Sequence, residues 1–285
     1  MFDNVLIPIS SEFYSRDVLK QSISLVHTLK SKIHVMYIIE KKTLMKSEER
    51  MDSYRTSYET NVLQQAVVDD QKQMADTVVF EDAKQFLSKH NILVEENIVE
   101  GEFSDAIADE LQKHDYDLIL MGFGKRCSLR YRLFYQCNIP IWVVSGSEKR
   151  SILAVCSNLA PNQKVPEISK QLSQMFNWPL HLLYVVDPKD PVHVDRYGKR
   201  SAKQSLDGLI AEGSSFIKEQ QKQGIQASIV VGSLEKETLK AAESHAANLI
   251  IVGREQKHHS LFDFSSKSTK RKIAENCKYS VLFVN

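Results

Sequence analysis

"IHVMYIIE", residues 33–40, returns as "LHLLYVVD" at 180–187 with histidine, tyrosine and closing acid in the same places. Each stretch is apolar through its centre, with no polar alternation. That pattern marks a strand buried on both faces, as in a parallel sheet covered by helices. Three further pairs follow in the same order: "VLIPIS" (5–10) with "ILAVCS" (152–157), "YDLILMG" (116–122) with "ANLIIVG" (247–253), and "IPIWVV" (139–144) with "YSVLFV" (279–284). A period this long excludes a solenoid and indicates two copies of one domain.

Between the strand blocks lie stretches with helical spacing. Asp17–Lys30 and Val165–Phe176 place their apolar residues along one side, and Asp105–Lys113 pairs with Lys236–Ala246. Asp207–Gln223 forms a longer helix in the second copy. The alternation predicts an α/β protein of two repeated doubly wound domains, each a five-stranded parallel sheet with helices on both faces. The expected domains are residues 1–146 and 150–285, joined by "SGSEKR" (145–150). The offset between copies shrinks from 147 (Ile33 to Leu180) to 131 (Gly122 to Gly253), so the first copy carries an insertion after its second strand. Residues 41–90 there contain neither glycine nor proline and predict a long or broken helix.

The 285 residues carry 37 basic and 36 acidic side chains, a net charge of +1. No bulk field recruits nucleic acid or an anionic membrane. No apolar run reaches the roughly 20 residues that span a bilayer, and "MFDNVLIPIS" turns polar too soon for a signal peptide. Cys127, Cys137, Cys156 and Cys277 form no C-x-x-C pair, which predicts reduced thiols in a cytoplasmic protein.

These blocks, with "GEFSDAI" (101–107) in the first copy and "VVGSLEKETL" (230–239) in the second, resemble the universal stress protein family. The resemblance covers nearly the whole chain and implies a tandem universal stress protein, with the fold shared by the adenine nucleotide alpha hydrolase-like group. It also implies a nucleotide site. Binding members carry an aspartate at the end of the first strand and, after the fourth, G-x-x-G, a spacer and G-Ser/Thr. The glycines would present backbone N–H groups to phosphates. Here the aspartate positions hold Ser10 and Ser157. In "DLILMGFGKRCSL" (117–129) Gly122 is present, but Lys125 stands three residues on, and no room is left for the loop before Pro140. In the second copy the loop length survives, with Gln256 and Lys267 at glycine positions.

The expectation is therefore a degenerate ATP site in both domains, no bound cofactor, and a non-enzymatic stress-response binding or interaction protein. The alternative is a nucleotide- or anion-binding sensor in domain 2, taking ATP or another adenine nucleotide. Its candidate residues are Ser157, Gly253, Arg254, Lys267, Ser268 and Thr269, beside further basic residues at Lys257, Lys270, Arg271 and Lys272. No Walker A, no S-G-G-x-D-S and no G-x-S-x-G occurs, so no catalytic residue is assigned. His258-His259 lacks partners at ligand spacing, and no metal is expected. His34, His181, Tyr37 and Tyr184 read as structural; Cys156 reads as core, and Cys127 as the more exposed thiol. Trp142 and Phe283 lie at matching places in the last strands, which in the resembled family pair across a dimer. The expected pairing is internal, 139–144 with 279–284; a homodimer and an unidentified protein partner remain open.

Overall fold

Strands buried on both faces need cover, and their order decides where a crevice opens. The computed structural model describes residues 1–10, 13–40, 75–94, 97–122, 133, 137–146, 150–254 and 278–284. The chain divides into two compact units, Met1–Asn138 and Ile139–Asn285.

In the first unit, β1 (Asn4–Ile9), β2 (Lys32–Glu40), β3 (Ile98–Gly101) and β4 (Leu118–Gly122) run parallel in the order β3-β2-β1-β4. Among the described residues three helices cover them: α1 (Arg16–Leu29), α2 (Glu81–Ser88), entered through a π-helical turn at Ala75–Phe80, and α3 (Phe103–Lys113). The expected helix over 41–90 is thus present at its C-terminal end; residues 41–74 lie outside the described residues.

The second unit adds β5 (Ile141–Val144), β6 (Ile152–Ser157), β7 (Leu180–Val186), β8 (Gln226–Val231), β9 (Leu249–Gly253) and β10 (Ser280–Val284), ordered β5-β10-β9-β6-β7-β8. Its helices among the described residues are α4 (Lys164–Phe176), α5 (Leu206–Lys222) and α6 (Leu234–Ser244).

The duplication is visible in the backbone. Leu6 stands beside His34 in the first unit, and Leu153 beside His181 in the second. α1 ends on Lys30 in the left-handed region, φ 61°, and α4 ends on Asn177, φ 53°. A side chain normally avoids that conformation, but as a cap it lets the chain turn back into the next strand. In each copy the first strand lies between the second and the fourth, so the order reverses between β1 and β4 and again between β6 and β9. Those two reversals are where an open α/β sheet offers a crevice at its carboxyl edge.

β5 is the first repeat's last strand, yet it is grouped with the second unit. It runs antiparallel to β10, with Trp142 opposite Leu282. Trp142 is fully buried, a contribution of about 2–3 kcal/mol by transfer of its apolar surface. Where β5 ends and β10 begins, Ser145 N–H donates to Ser280 Oγ at 3.1 Å, while Ser280 Oγ donates to Ser145 O at 3.1 Å.

Candidate functional site

At the first reversal, β1 ends in Ile9 and Ser10. Ser10 is fully buried, and Phe13 N–H is shared between its carbonyl at 3.1 Å and its hydroxyl at 3.3 Å. The group at the resemblance's aspartate position is therefore engaged in closing its own loop. Phe13 then stacks on Phe103, the first residue of α3, with centroids 4.2 Å apart, and both rings are wholly buried. An aromatic pair thus ties the segment after β1 to the start of α3 at the carboxyl edge. Gly122, at the end of β4, is pressed against the same turn: a Cβ there would lie 2.8 Å from Ser15 Cβ and 3.0 Å from Val18 Cγ2. This glycine serves close packing of strand on helix.

The second reversal repeats the arrangement with different groups. Ser157 and Gly253 end the neighbouring strands β6 and β9, so the fold brings these two candidates to one edge. Ser157 is buried; its hydroxyl accepts from Leu159 N–H at 3.2 Å. Its backbone is clamped by Asn162, which accepts from Ser157 N–H at 3.0 Å and donates to Ser157 O at 2.8 Å. A Cβ on Gly253 would stand 2.9 Å from Pro161 O and 3.2 Å from Ala160 Cβ. Arg254 is buried as well: its N–H donates to Val284 O at 2.7 Å, and its guanidinium donates to Ile139 O. Lys267, Ser268 and Thr269 lie outside the described residues, as do His258, His259, Cys127 and Cys277.

A group not singled out from the sequence organises this edge. Asn158, wholly buried, donates through Nδ2 to Val192 O at 2.9 Å and Asp190 O at 3.1 Å, and accepts from Asp187 N–H at 2.7 Å. Its own carbonyl accepts from Val194 N–H at 3.0 Å. These bonds seat residues 187–205 beside the ends of β6 and β7, with Val192 and Val194 buried beneath. Asp190 pairs with Arg200 at 2.5 Å, and Asp195 turns the loop by accepting from Tyr197 and Lys199 N–H. The Lys199 N–H is the main reason the Asp195 carboxyl is held below its ordinary range. Asp187 accepts from Leu234 N–H at 3.1 Å and so caps α6 from another strand. The loop's local sequence signals are the paired prolines of "DPKDP" (187–191) and the turn residues Asp195 and Gly198.

Elsewhere, His181 lies against His245, ring centroids 3.9 Å apart, with Nε2 2.9 Å from Ser228 Oγ. Burial, and then the neighbouring imidazole, lowers the His181 pKa. Tyr37, Tyr184, Cys137 and Cys156 are buried. Among the described residues no cluster of three His, Cys, Asp or Glu could hold a metal, and no helix is long and apolar enough to cross a membrane.

The model of the universal stress protein family matches residues 1–136 and again 149–285. A universal stress protein from Archaeoglobus fulgidus DSM 4304 superposes with TM-score 0.66 at 14% identity, over 99% of this chain and 96% of that one. A functionally unknown protein from Pseudomonas aeruginosa PAO1 gives TM-score 0.65 at 13% identity, over 99% of this chain and 92% of that one. At such identities the structural likeness speaks for the fold. No curated protein matches the chain in sequence.

Proposed function

Because the chain belongs to the universal stress protein family, we propose that it is a non-enzymatic binding or interaction protein of the cytoplasmic stress response, one whose two nucleotide crevices no longer hold ATP. The observation that carries this reading is the state of Ser10 and Ser157, whose buried hydroxyls stand at the implied acid positions and accept from their own loops. A serine so placed offers no carboxylate to a ribose. The Phe13–Phe103 stack and the Asn158-anchored loop support the same conclusion, since each occupies a carboxyl edge with the protein's own atoms. Gly122 and Gly253 contribute in turn: both abut the turn after the first strand, so their freedom serves packing rather than the presentation of amides to phosphate. On this reading the two copies pair through their last strands, 139–144 with 279–284, as the β5–β10 register supports. The surface left for function is then a protein-binding one.

Isothermal calorimetry with ATP, ADP and AMP tests the proposal. No heat beyond dilution is expected, and denaturing freshly purified protein should release no adenine absorbance. Micromolar binding would overturn it. If such binding disappears in a Lys267→Glu, Arg271→Glu double variant, the function passes to the basic segment of the second copy as an anion or nucleotide sensor.

A further inference from the structure

The opposite, amino-terminal edge of the first unit's sheet holds a cavity of about 970 Å³, among whose lining residues are Ser31, His34, Asn97, Glu110, His114 and Tyr116. Its volume lies in the range of small-molecule sites. Ser31 is 5% exposed, and its hydroxyl has no hydrogen-bond partner among the described residues. A buried polar atom left unanswered costs free energy, and Ser31 stands on this wall beside further polar groups. Glu110, 7% exposed, accepts from the Tyr116 hydroxyl at 2.8 Å and lies 3.9 Å from His114 Nε2. His34 meets Tyr116 edge to face, centroids 5.3 Å apart at 79°.

The second copy carries different residues at the corresponding places. At the place of Ser31 it carries Trp178, at the place of Tyr116 it carries Ala247, and the counterparts of His34 and His114 are His181 and His245, stacked on each other. The two copies thus line this edge with different groups.

We propose that this cavity binds a neutral, hydroxyl-rich ligand of sugar or cyclic-polyol size. The lining mixes acceptors with donors: the Glu110 carboxylate and the Ser31 hydroxyl beside the Asn97 amide and two imidazoles. A ligand hydroxyl both gives and takes, and can satisfy adjacent groups of either kind. The C–H face of a sugar ring is apolar and suits the edge-to-face His34–Tyr116 pair. Charge selects against anions. Lys32 and Lys113 on the lining are offset by Glu110 and Asp115, so no net positive field exists to attract phosphate. A purely apolar ligand would bury Glu110 and Ser31 against carbon.

Saturation-transfer NMR on the full chain with glucose, trehalose and myo-inositol tests this, with citrate and AMP as charged comparators. At least one of the neutral compounds should receive saturation. Binding should weaken about tenfold or more in Glu110→Gln, which removes the charged acceptor, and vanish in Ser31→Trp, which introduces the second copy's residue. Should Ser31→Trp fail to fold, Glu110→Gln decides alone. Silence from all three neutral compounds, tighter binding of citrate or AMP, or undiminished binding in Glu110→Gln would each overturn the proposal. The site lies on the edge away from the crevices, so its failure leaves the reading of those crevices untouched.

Discussion

Replacing Asn158 by alanine should release residues 187–205 from the edge of the second unit. The wild-type amide makes two good donor bonds, at 2.9 and 3.1 Å, and one acceptor bond at 2.7 Å, all around a wholly buried side chain. At about 1 kcal/mol net per bond the loss is about 3 kcal/mol, and it approaches 6 kcal/mol if the three orphaned backbone groups stay dry. The loop need not stay dry. It can lift and hydrate those groups, so the cost settles near the lower figure and is concentrated locally. About 3 kcal/mol corresponds to about two orders of magnitude in an opening equilibrium. Native-state hydrogen exchange should therefore show amide protection falling about a hundredfold at Val192, Asp195, Ser201 and Gln204, whose N–H groups bond within the loop. The strand amides of β6 and β7 should exchange at the global rate in both proteins. If loop protection in Asn158→Ala stays within about threefold of wild type, Asn158 does not anchor the loop, and the case for a self-occupied crevice weakens with it.

Gly253→Ala drives a methyl to 2.9 Å from Pro161 O, a backbone atom with little freedom to yield. Overpacking of this kind costs about 1–3 kcal/mol, and at about 2–4 °C per kcal/mol thermal unfolding should fall by about 2–12 °C; an unchanged midpoint would show that the strand–turn contact is loose. His181 has a folded pKa below its ordinary 6.5. The unfolded chain therefore binds the proton more readily, and stability is flat above that value and declines as pH falls through it. Urea midpoints between about pH 8 and about pH 5 should show this decline, and His181→Phe should flatten it. Burial pushes the Cys156 thiol well above its ordinary range, so iodoacetamide should leave it unmodified until the second unit unfolds. Rapid native-state labelling, read by mass spectrometry of the peptide containing it, would contradict its place in the core.

The strands were legible because a strand buried on both faces writes its environment into consecutive residues, as "LIIV" and "VLFV" do within β9 and β10. Helix starts were less so. α3 begins at Phe103, ahead of the expected Asp105, because Glu102 reaches round to accept from Ser104 and Asp105 N–H, although glutamate is not among the preferred capping residues. α6 begins at Leu234, ahead of the expected Lys236, because its capping acceptor is Asp187, distant in sequence. The meeting of Ser157 and Gly253 followed from strand order alone. The work of Asn158 did not, since an asparagine after a strand acquires meaning only when a loop some thirty residues on folds over it.

The boundary of the repeat and the boundary of the folded unit do not coincide. Recurrence in the sequence ends the first copy after Val144, while the structure hands Ile141–Val144 to the second unit, where they flank β10. A gene fission at the repeat boundary would strip that flank and leave β10 with a raw apolar margin, open to cross-association with other chains. A second copy cut at that boundary would have to recover such a ribbon from another molecule to cover β10.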